Sequence, residues 1–189
     1  MLKWKELYEE CCNCHKCRLG DKRLNMVFGD GNPKAKIMFI GEAPGADEDK
    51  EGLPFVGKAG KLLTKGLTAL DLIRERDYYI CNICKCRPDN NRTPYEDEAN
   101  TCIDYLRNQV ALVRPKIIIC LGATAMKYIL GDEWRVTRDR GKWVERKGFS
   151  IMPTFHPSAV LRDESKKRIF WGDLKSIKDK YTELINTTL

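Results

Sequence analysis

Cys14-x2-Cys17 stands in a short polar segment ahead of the first apolar run, at a spacing that lets two thiolates grip one metal ion or cluster. Cys11-x2-Cys14 is an equally good match on paper, and two further ligands must come from Cys81, Cys84, Cys86, Cys102 or Cys120. Three residues apart on a strand, Cys81 and Cys84 would face opposite ways unless the strand turned between them, so they make a poor chelating pair. Cys120, inside Ile117-Ile118-Ile119-Cys120-Leu121, reads as a small core residue. Cys86, in Lys85-Cys86-Arg87-Pro88, and Cys102, on a helix face, remain. Four cysteines without histidine permit either zinc or an iron–sulfur cluster.

A second segment is a near miss. Gly52-Leu53-Pro54-Phe55-Val56-Gly57-Lys58-Ala59 has the glycine and lysine spacing of a phosphate-binding loop. Alanine follows the lysine, however, so no hydroxyl can hold a magnesium ion, and Asp47-Glu48-Asp49-Lys50-Glu51 would repel a polyphosphate. Nucleotide hydrolysis is not expected.

The elements that must position these groups alternate between short branched or aromatic runs and helical patterns, the signature of α/β architecture. Strands are predicted at Lys36 to Ile40, Tyr78 to Ile83, Ile117 to Leu121 and Phe149 to Phe155. Ala59, Leu62, Leu63, Leu67 and Leu70 recur at helical spacing. Thr93-Pro94-Tyr95-Glu96 reads as a capping box with proline at the first helical position. A long amphipathic helix, with Ile169, Phe170, Leu174, Ile177, Tyr181 and Leu184 on one side, closes the chain. Helical crossovers imply parallel strands with helices on both faces, hence a three-layer α/β/α sandwich around a mainly parallel four-stranded sheet. Ligands of such sheets gather beyond the carboxyl ends of the strands. That rule brings Gly41-Glu42-Ala43-Pro44-Gly45, Asn82 and His156-Pro157-Ser158 to one crevice.

Composition sets the outer bounds. With 42% apolar residues in 189, no repeats and no low-complexity linker, one domain over residues 1–189 is expected, acting as a monomer. The amino terminus lacks the apolar core of an export signal, and no apolar run is long enough to span a bilayer. Nine cysteines, an odd number, then argue for a reducing, cytoplasmic setting and for metal ligation over a disulfide framework. The formal charge of +7 fits either a solvated lysine-rich surface or a polyanion partner.

Gly41 to Asp49, Gly52 to Gly57, Asn82-Ile83-Cys84-Lys85-Cys86-Arg87-Pro88 and His156-Pro157-Ser158, together with Cys14, Cys17, Cys86 and Cys102, closely resemble the iron–sulfur uracil-DNA glycosylases, the family 4 type of bacteria and archaea. The resemblance runs from about Cys14 to the final helix. It implies an α/β/α sandwich, a [4Fe–4S] cluster on those four cysteines, and uracil-containing DNA, single- or double-stranded, as substrate. A non-enzymatic zinc or iron–sulfur DNA-binding module would need the cysteines but not Asn82 and His156.

The chemistry of base excision gives the remaining residues expected roles. By the resemblance, the Phe55 ring stacks on uracil. Asn82 can donate to uracil O4 and accept from N3–H, a pattern that cytosine inverts. As the glycosidic bond breaks, charge grows on the base, and His156 can donate to O2. Glu42 and Glu48 follow the first strand and are the carboxylates available for the cationic sugar and the water; the resemblance favours Glu48 for the water. Relatives with a shorter first motif carry aspartate where Ala43 stands in the substrate-binding segment, so much of the rate is expected from leaving-group stabilisation. Relatives that bond covalently to DNA carry a basic, histidine-containing insertion that has no counterpart between Asp49 and Phe55, so hydrolysis and release are expected. Arg162, Lys166, Lys167 and Arg168 are expected to meet phosphates, with Leu161 as a wedge into the base stack.

Overall fold

The computed structural model describes residues 3–187. In chain order its elements are α1 (Trp4–Cys12), α2 (Leu19–Lys22), β1 (Asp30–Gly31), β2 (Ile37–Gly41), α3 (Ala46–Glu51), α4 (Lys58–Thr68), α5 (Arg74–Asp77) and β3 (Tyr78–Asn82). A short 3₁₀ turn (Asp89–Asn91) leads into α6 (Glu96–Val113), β4 (Ile117–Leu121), α7 (Ala123–Leu130) and α8 (Val136–Asp139). The chain continues through β5 (Val144–Arg146), β6 (Phe149–Thr154), α9 (Pro157–Arg162) and α10 (Lys166–Asn186).

The sheet order is β1-β3-β2-β4-β6-β5. Its four inner strands are the four expected from sequence, and they run parallel. The expected count of four is corrected to six by β1 and β5, which add antiparallel edges. Neither carries an apolar run: β1 is an Asp-Gly pair, and the Val-Glu-Arg of β5 is largely exposed and folds back on β6 as a hairpin. The capping box also moves. Helix α6 starts at Glu96 with Tyr95 as its cap, because the Glu98 carboxylate accepts the Tyr95 N–H at 2.8 Å and is itself gripped by both Arg92 nitrogens at 2.7 and 2.8 Å. Thr93 and Pro94 therefore precede the helix.

Alternation along the inner strands divides the core into two layers. Met38, Ile40, Cys81, Ile118 and Cys120 pack with Leu7 of α1, Ile103 and Leu106 of α6 and Met126 of α7. Ile37, Phe39, Ile80, Ile117 and Ile119 pack with Leu63 and Leu67 of α4, Val160 of α9 and Phe170, Leu174 and Ile177 of α10. Both faces are thus covered, as inner strands with every residue buried require. Register aligns Gly41 with Asn82, Ile40 with Cys120 and Leu121 with Thr154. The carboxyl ends of all four parallel strands are therefore level, and the loops beyond them share one edge. No described helix is long and apolar enough to cross a membrane.

Candidate active site and cysteine centre

Beyond those strand ends lies a cleft of about 640 Å³ lined by Glu42, Ala43, Glu48, Phe55, Asn82, His156 and Arg162 among others. Gly41 makes its floor possible: a Cβ there would stand 2.4 Å from Asn82 Oδ1 and 2.6 Å from the Phe55 ring. Only a residue without a side chain lets the amide and the ring approach each other at the strand end.

Asn82, the last residue of β3, is 2% exposed, and its Oδ1 has no hydrogen-bond partner. A buried acceptor left open costs about 1–3 kcal/mol, so the atom is suited to a donor arriving with a ligand. Phe55 adopts φ 56°, a left-handed conformation that a bulky residue holds only under constraint. Two features impose it. The Arg74 guanidinium donates to the carbonyls of Pro54 (3.0 Å) and Phe55 (3.2 Å) while pairing with Asp30 at 3.1 Å. Gly60 in α4 lets the turn close, since a Cβ there would fall 2.0 Å from the Phe55 carbonyl oxygen.

His156 caps α9. Its Nδ1 accepts the Ser158 N–H at 3.2 Å and lies 2.8 Å from the Ser158 hydroxyl, which leaves the neutral ring with its proton on Nε2. Burial, with a smaller push from Arg162, lowers its pKa to about 4. The imidazole is consequently neutral at pH 7 and presents Nε2–H as a donor. Its ring centroid is 5.8 Å from that of Phe55, with the planes 35° apart.

The two carboxylates differ. Burial raises the pKa of Glu42, opposed by the hydrogen bond that the Thr124 hydroxyl donates to Oε2 and by Arg162. Its Oε1 has no partner among the described residues. Glu48 lines the same cleft, but Oε1 accepts the N–H groups of Val56 (3.0 Å) and Gly57 (2.8 Å), and Oε2 accepts that of Gly45 (3.1 Å). Glu48 ties the start of α3 to the turn that carries Phe55, and these three bonds take up part of the accepting capacity that its expected water would share.

Of the basic residues after the histidine, Arg162 lines the cleft and forms no ion pair among the described residues. Lys166 and Lys167 are paired with Asp163 and Glu164, while Arg168 is exposed. Leu161 is 44% exposed on the same short helix.

Cys14 and Cys17 follow α1, Cys86 follows β3 and Cys102 lies on α6, yet all four line one cavity, with Cys11, Arg23, Lys85 and Tyr105. Cys11 is the addition that spacing left open; it is buried on α1. Cys81, Cys84 and Cys120 are buried in the core layer and are absent from the cavity wall. Arg23 donates to Cys86 Sγ at 3.2 Å, and the Lys85 backbone N–H donates to Cys102 Sγ at 3.3 Å. A hydrogen bond from the Cys84 thiol, with help from Lys85, lowers the Cys102 pKa to about 7. Among the described residues no three His, Cys, Asp or Glu side chains form a cage for a single metal ion. The donor set is nonetheless coherent: thiols from three separate segments, N–H donors on two sulfurs, and no carboxylate in the wall, which suits a soft sulfur-ligated centre. His15 turns outward to Asp21 at 2.7 Å.

A family model described as the uracil DNA glycosylase superfamily matches residues 28–175. The chain belongs to that superfamily. A type-4 uracil-DNA glycosylase of Sulfurisphaera tokodaii is 44% identical over 183 residues, covering 93% of this chain and 83% of the relative. Type-4 uracil-DNA glycosylases of Thermotoga maritima and Archaeoglobus fulgidus are each 43% identical, covering 90% and 91% of this chain and 90% of each relative.

Sequence reasoning finds Asn82 and His156 because Asn82 ends β3 and His156 lies just beyond the carboxyl end of β6. It misses Arg74 and Thr124, whose contacts cross the fold, and Lys85, whose side chain turns back to the Asn82 carbonyl three residues earlier and whose only local trace is its place between two cysteines.

Proposed function

We propose that this chain excises uracil from DNA by hydrolysing the N-glycosidic bond of a flipped-out deoxyuridine, releasing the base and leaving an abasic site. The observation that carries the reading is the unpartnered Oδ1 of buried Asn82, set with the Phe55 ring over Gly41 in the wall of the cleft. Uracil supplies what that atom lacks. Its N3–H donates to Oδ1 and its O4 accepts from the Asn82 amide, whereas cytosine has an acceptor at N3 and a donor at C4. Extruding the base costs a few kcal/mol of stacking and pairing, which contact with the Phe55 face and the Asn82 edge offsets.

As the bond to the sugar breaks, the departing pyrimidine gathers negative charge. His156, neutral and proton-bearing at Nε2, donates to O2 and stabilises that charge without giving up its proton. Glu42 orients the attacking water with Oε1 while Thr124 holds Oε2, and its charge favours the cationic sugar. Glu48 serves as the clasp of the Phe55 turn. Arg162 meets a phosphate beside the cleft, Lys166 and Lys167 contribute when their acidic neighbours release them, and Leu161 fills the gap in the base stack.

Cys14, Cys17, Cys86 and Cys102 would hold a [4Fe–4S] cluster, whose contribution when bound is to join the amino-terminal segment, the end of β3 and α6 through one sulfur-ligated centre. The chain acts as one domain and as a monomer, in a reducing compartment. The test is single-turnover cleavage of an oligonucleotide with one uracil, read as alkali-labile ends, beside cytosine and thymine controls and an iron assay. Uracil-specific strand breaks together with about four irons per chain are expected for the [4Fe–4S] reading; binding without breaks would refute excision, and stoichiometric zinc without a visible absorption band would refute the cluster.

A further inference from the structure

Lys85 is 1% exposed, among the most deeply buried side chains of the protein. It forms no ion pair among the described residues, and its ammonium donates to the backbone carbonyl of Asn82 at 2.6 Å. Lys85 also lines the cysteine cavity, whose wall contains no carboxylate. A buried ammonium with one neutral acceptor is costly unless negative charge lies close by. The acidic groups in that wall are the thiols and the phenol of Tyr105, which burial keeps neutral, so the charge falls to the thiols.

We infer that Lys85 is the counter-charge of the sulfur-ligated cluster and, through the Asn82 carbonyl, the positioning residue that sets the orientation of the base reader. This rests on the reading of Cys14, Cys17, Cys86 and Cys102 as cluster ligands and of Asn82 as the uracil contact. Four thiolates give such a centre net negative charge, so a fixed cation beside it lowers the electrostatic cost of burying both. An ammonium also has more hydrogens than one carbonyl uses, so the same group can face the sulfurs and the strand end together. Holding the carbonyl fixes the peptide plane after Asn82, hence the direction in which the amide leaves β3. Lys85 therefore links the cysteine centre to the cleft: its own N–H donates to Cys102 Sγ at 3.3 Å, and its side chain reaches Asn82.

Lys85→Met, Lys85→Gln and Lys85→Arg, purified anaerobically as the iron-loaded protein, test the inference through iron content, spectroelectrochemical midpoint potential and single-turnover excision. Met and Gln should lower the potential, because a lost cation disfavours the more negative reduced state, whereas Arg should hold it. Met should also slow excision by roughly tenfold or more, the worth of a charge-assisted hydrogen bond. In an Asn82→Ala background the same change should cost less than about twofold, since the residue it acts through is gone. An unchanged potential, or an equal loss of rate in both backgrounds, overturns the inference. If Met and Gln come out free of iron, Arg decides: restored iron upholds the charge requirement, and iron lost from all three overturns it. Failure of the unmodified protein to hold iron or to excise uracil would instead refute the underlying reading of function.

Discussion

Replacing Asn82 by aspartate changes hydrogen-bond polarity at constant shape, which makes it the sharpest probe of the cleft. The amide is 2% exposed and ends a strand whose register is fixed on both sides, so neither water nor backbone movement can repair the change. The introduced carboxylate would oppose uracil O4 with an acceptor. The amide's hydrogen bond, worth about 1 kcal/mol net, is lost, and leaving a buried acceptor unsatisfied adds about 1–3 kcal/mol. A total near 3 kcal/mol corresponds to about a hundredfold slower excision at about 1.4 kcal/mol per tenfold. Burial also pushes the new carboxyl toward its protonated form, which could donate to O4 or to cytosine N3; uracil excision should therefore recover partly as pH falls, and cytosine excision should first appear there. The assay is single-turnover cleavage of matched uracil and cytosine oligonucleotides between about pH 5.5 and 8.5, a range that spans the titration of a buried carboxyl, with iron content checked for each preparation. Wild-type uracil rates at the alkaline end, with the cluster intact, would mean that Asn82 does not read the base.

Four further outcomes are expected. His156 has a folded pKa of about 4 against 6.5 when unfolded, so its neutral form costs nothing above pH 6.5 and progressively destabilises the fold as pH falls toward 4; that is about 3 kcal/mol from the 2.5-unit gap, which denaturant titrations of His156→Gln should show to be absent. Thr124→Val removes a hydrogen bond that lowers the Glu42 pKa, so the acid limb of kcat/KM should move to higher pH, with Thr124→Ser restoring it; an unmoved limb would disconnect Glu42 from catalysis. Arg74→Met frees the Phe55 turn from its left-handed conformation, a constraint of about 1–3 kcal/mol, and should slow excision roughly tenfold while the rest of the fold melts normally in differential scanning calorimetry. Arg162→Ala should reduce the log–log salt slope of duplex binding by about 0.9, and an unchanged slope would remove it from the phosphate contacts.

The inner strands and the long helices were legible because their signal is local: Ile37 to Gly41 and Ile117 to Leu121 are buried at every position, and α10 repeats its apolar residues at helical spacing. Asn82 was legible because a polar residue at the end of an apolar strand is conspicuous, and His156 because it falls just beyond a strand's carboxyl end, where ligands of such sheets gather. The edge strands were not, since β1 and β5 are ordered by pairing with their neighbours rather than by their own composition. The start of α6 shifted because Arg92, upstream of the helix, fixes Glu98, and no propensity scale records that ion pair. Glu48 and Glu42 could not be told apart from sequence. What separates them is that the N–H groups of Gly45, Val56 and Gly57 turn toward one and the Thr124 hydroxyl toward the other, an arrangement created only when α3 and α7 close over the strand ends.

The rigid Phe55 turn bears on timing. An extrahelical base is a brief event, and an enzyme that scans DNA must capture it before it falls back into the stack. Because Gly60, Arg74 and Glu48 have already fixed the ring while the protein folds, no loop has to order itself after the base arrives. The entropy of arranging the seat is met once, at folding, and not at every visited nucleotide. On the proposed reading rejection gains equally: a cytosine reaching a prebuilt seat would meet the wrong amide polarity at once, and a short dwell on each normal base would follow.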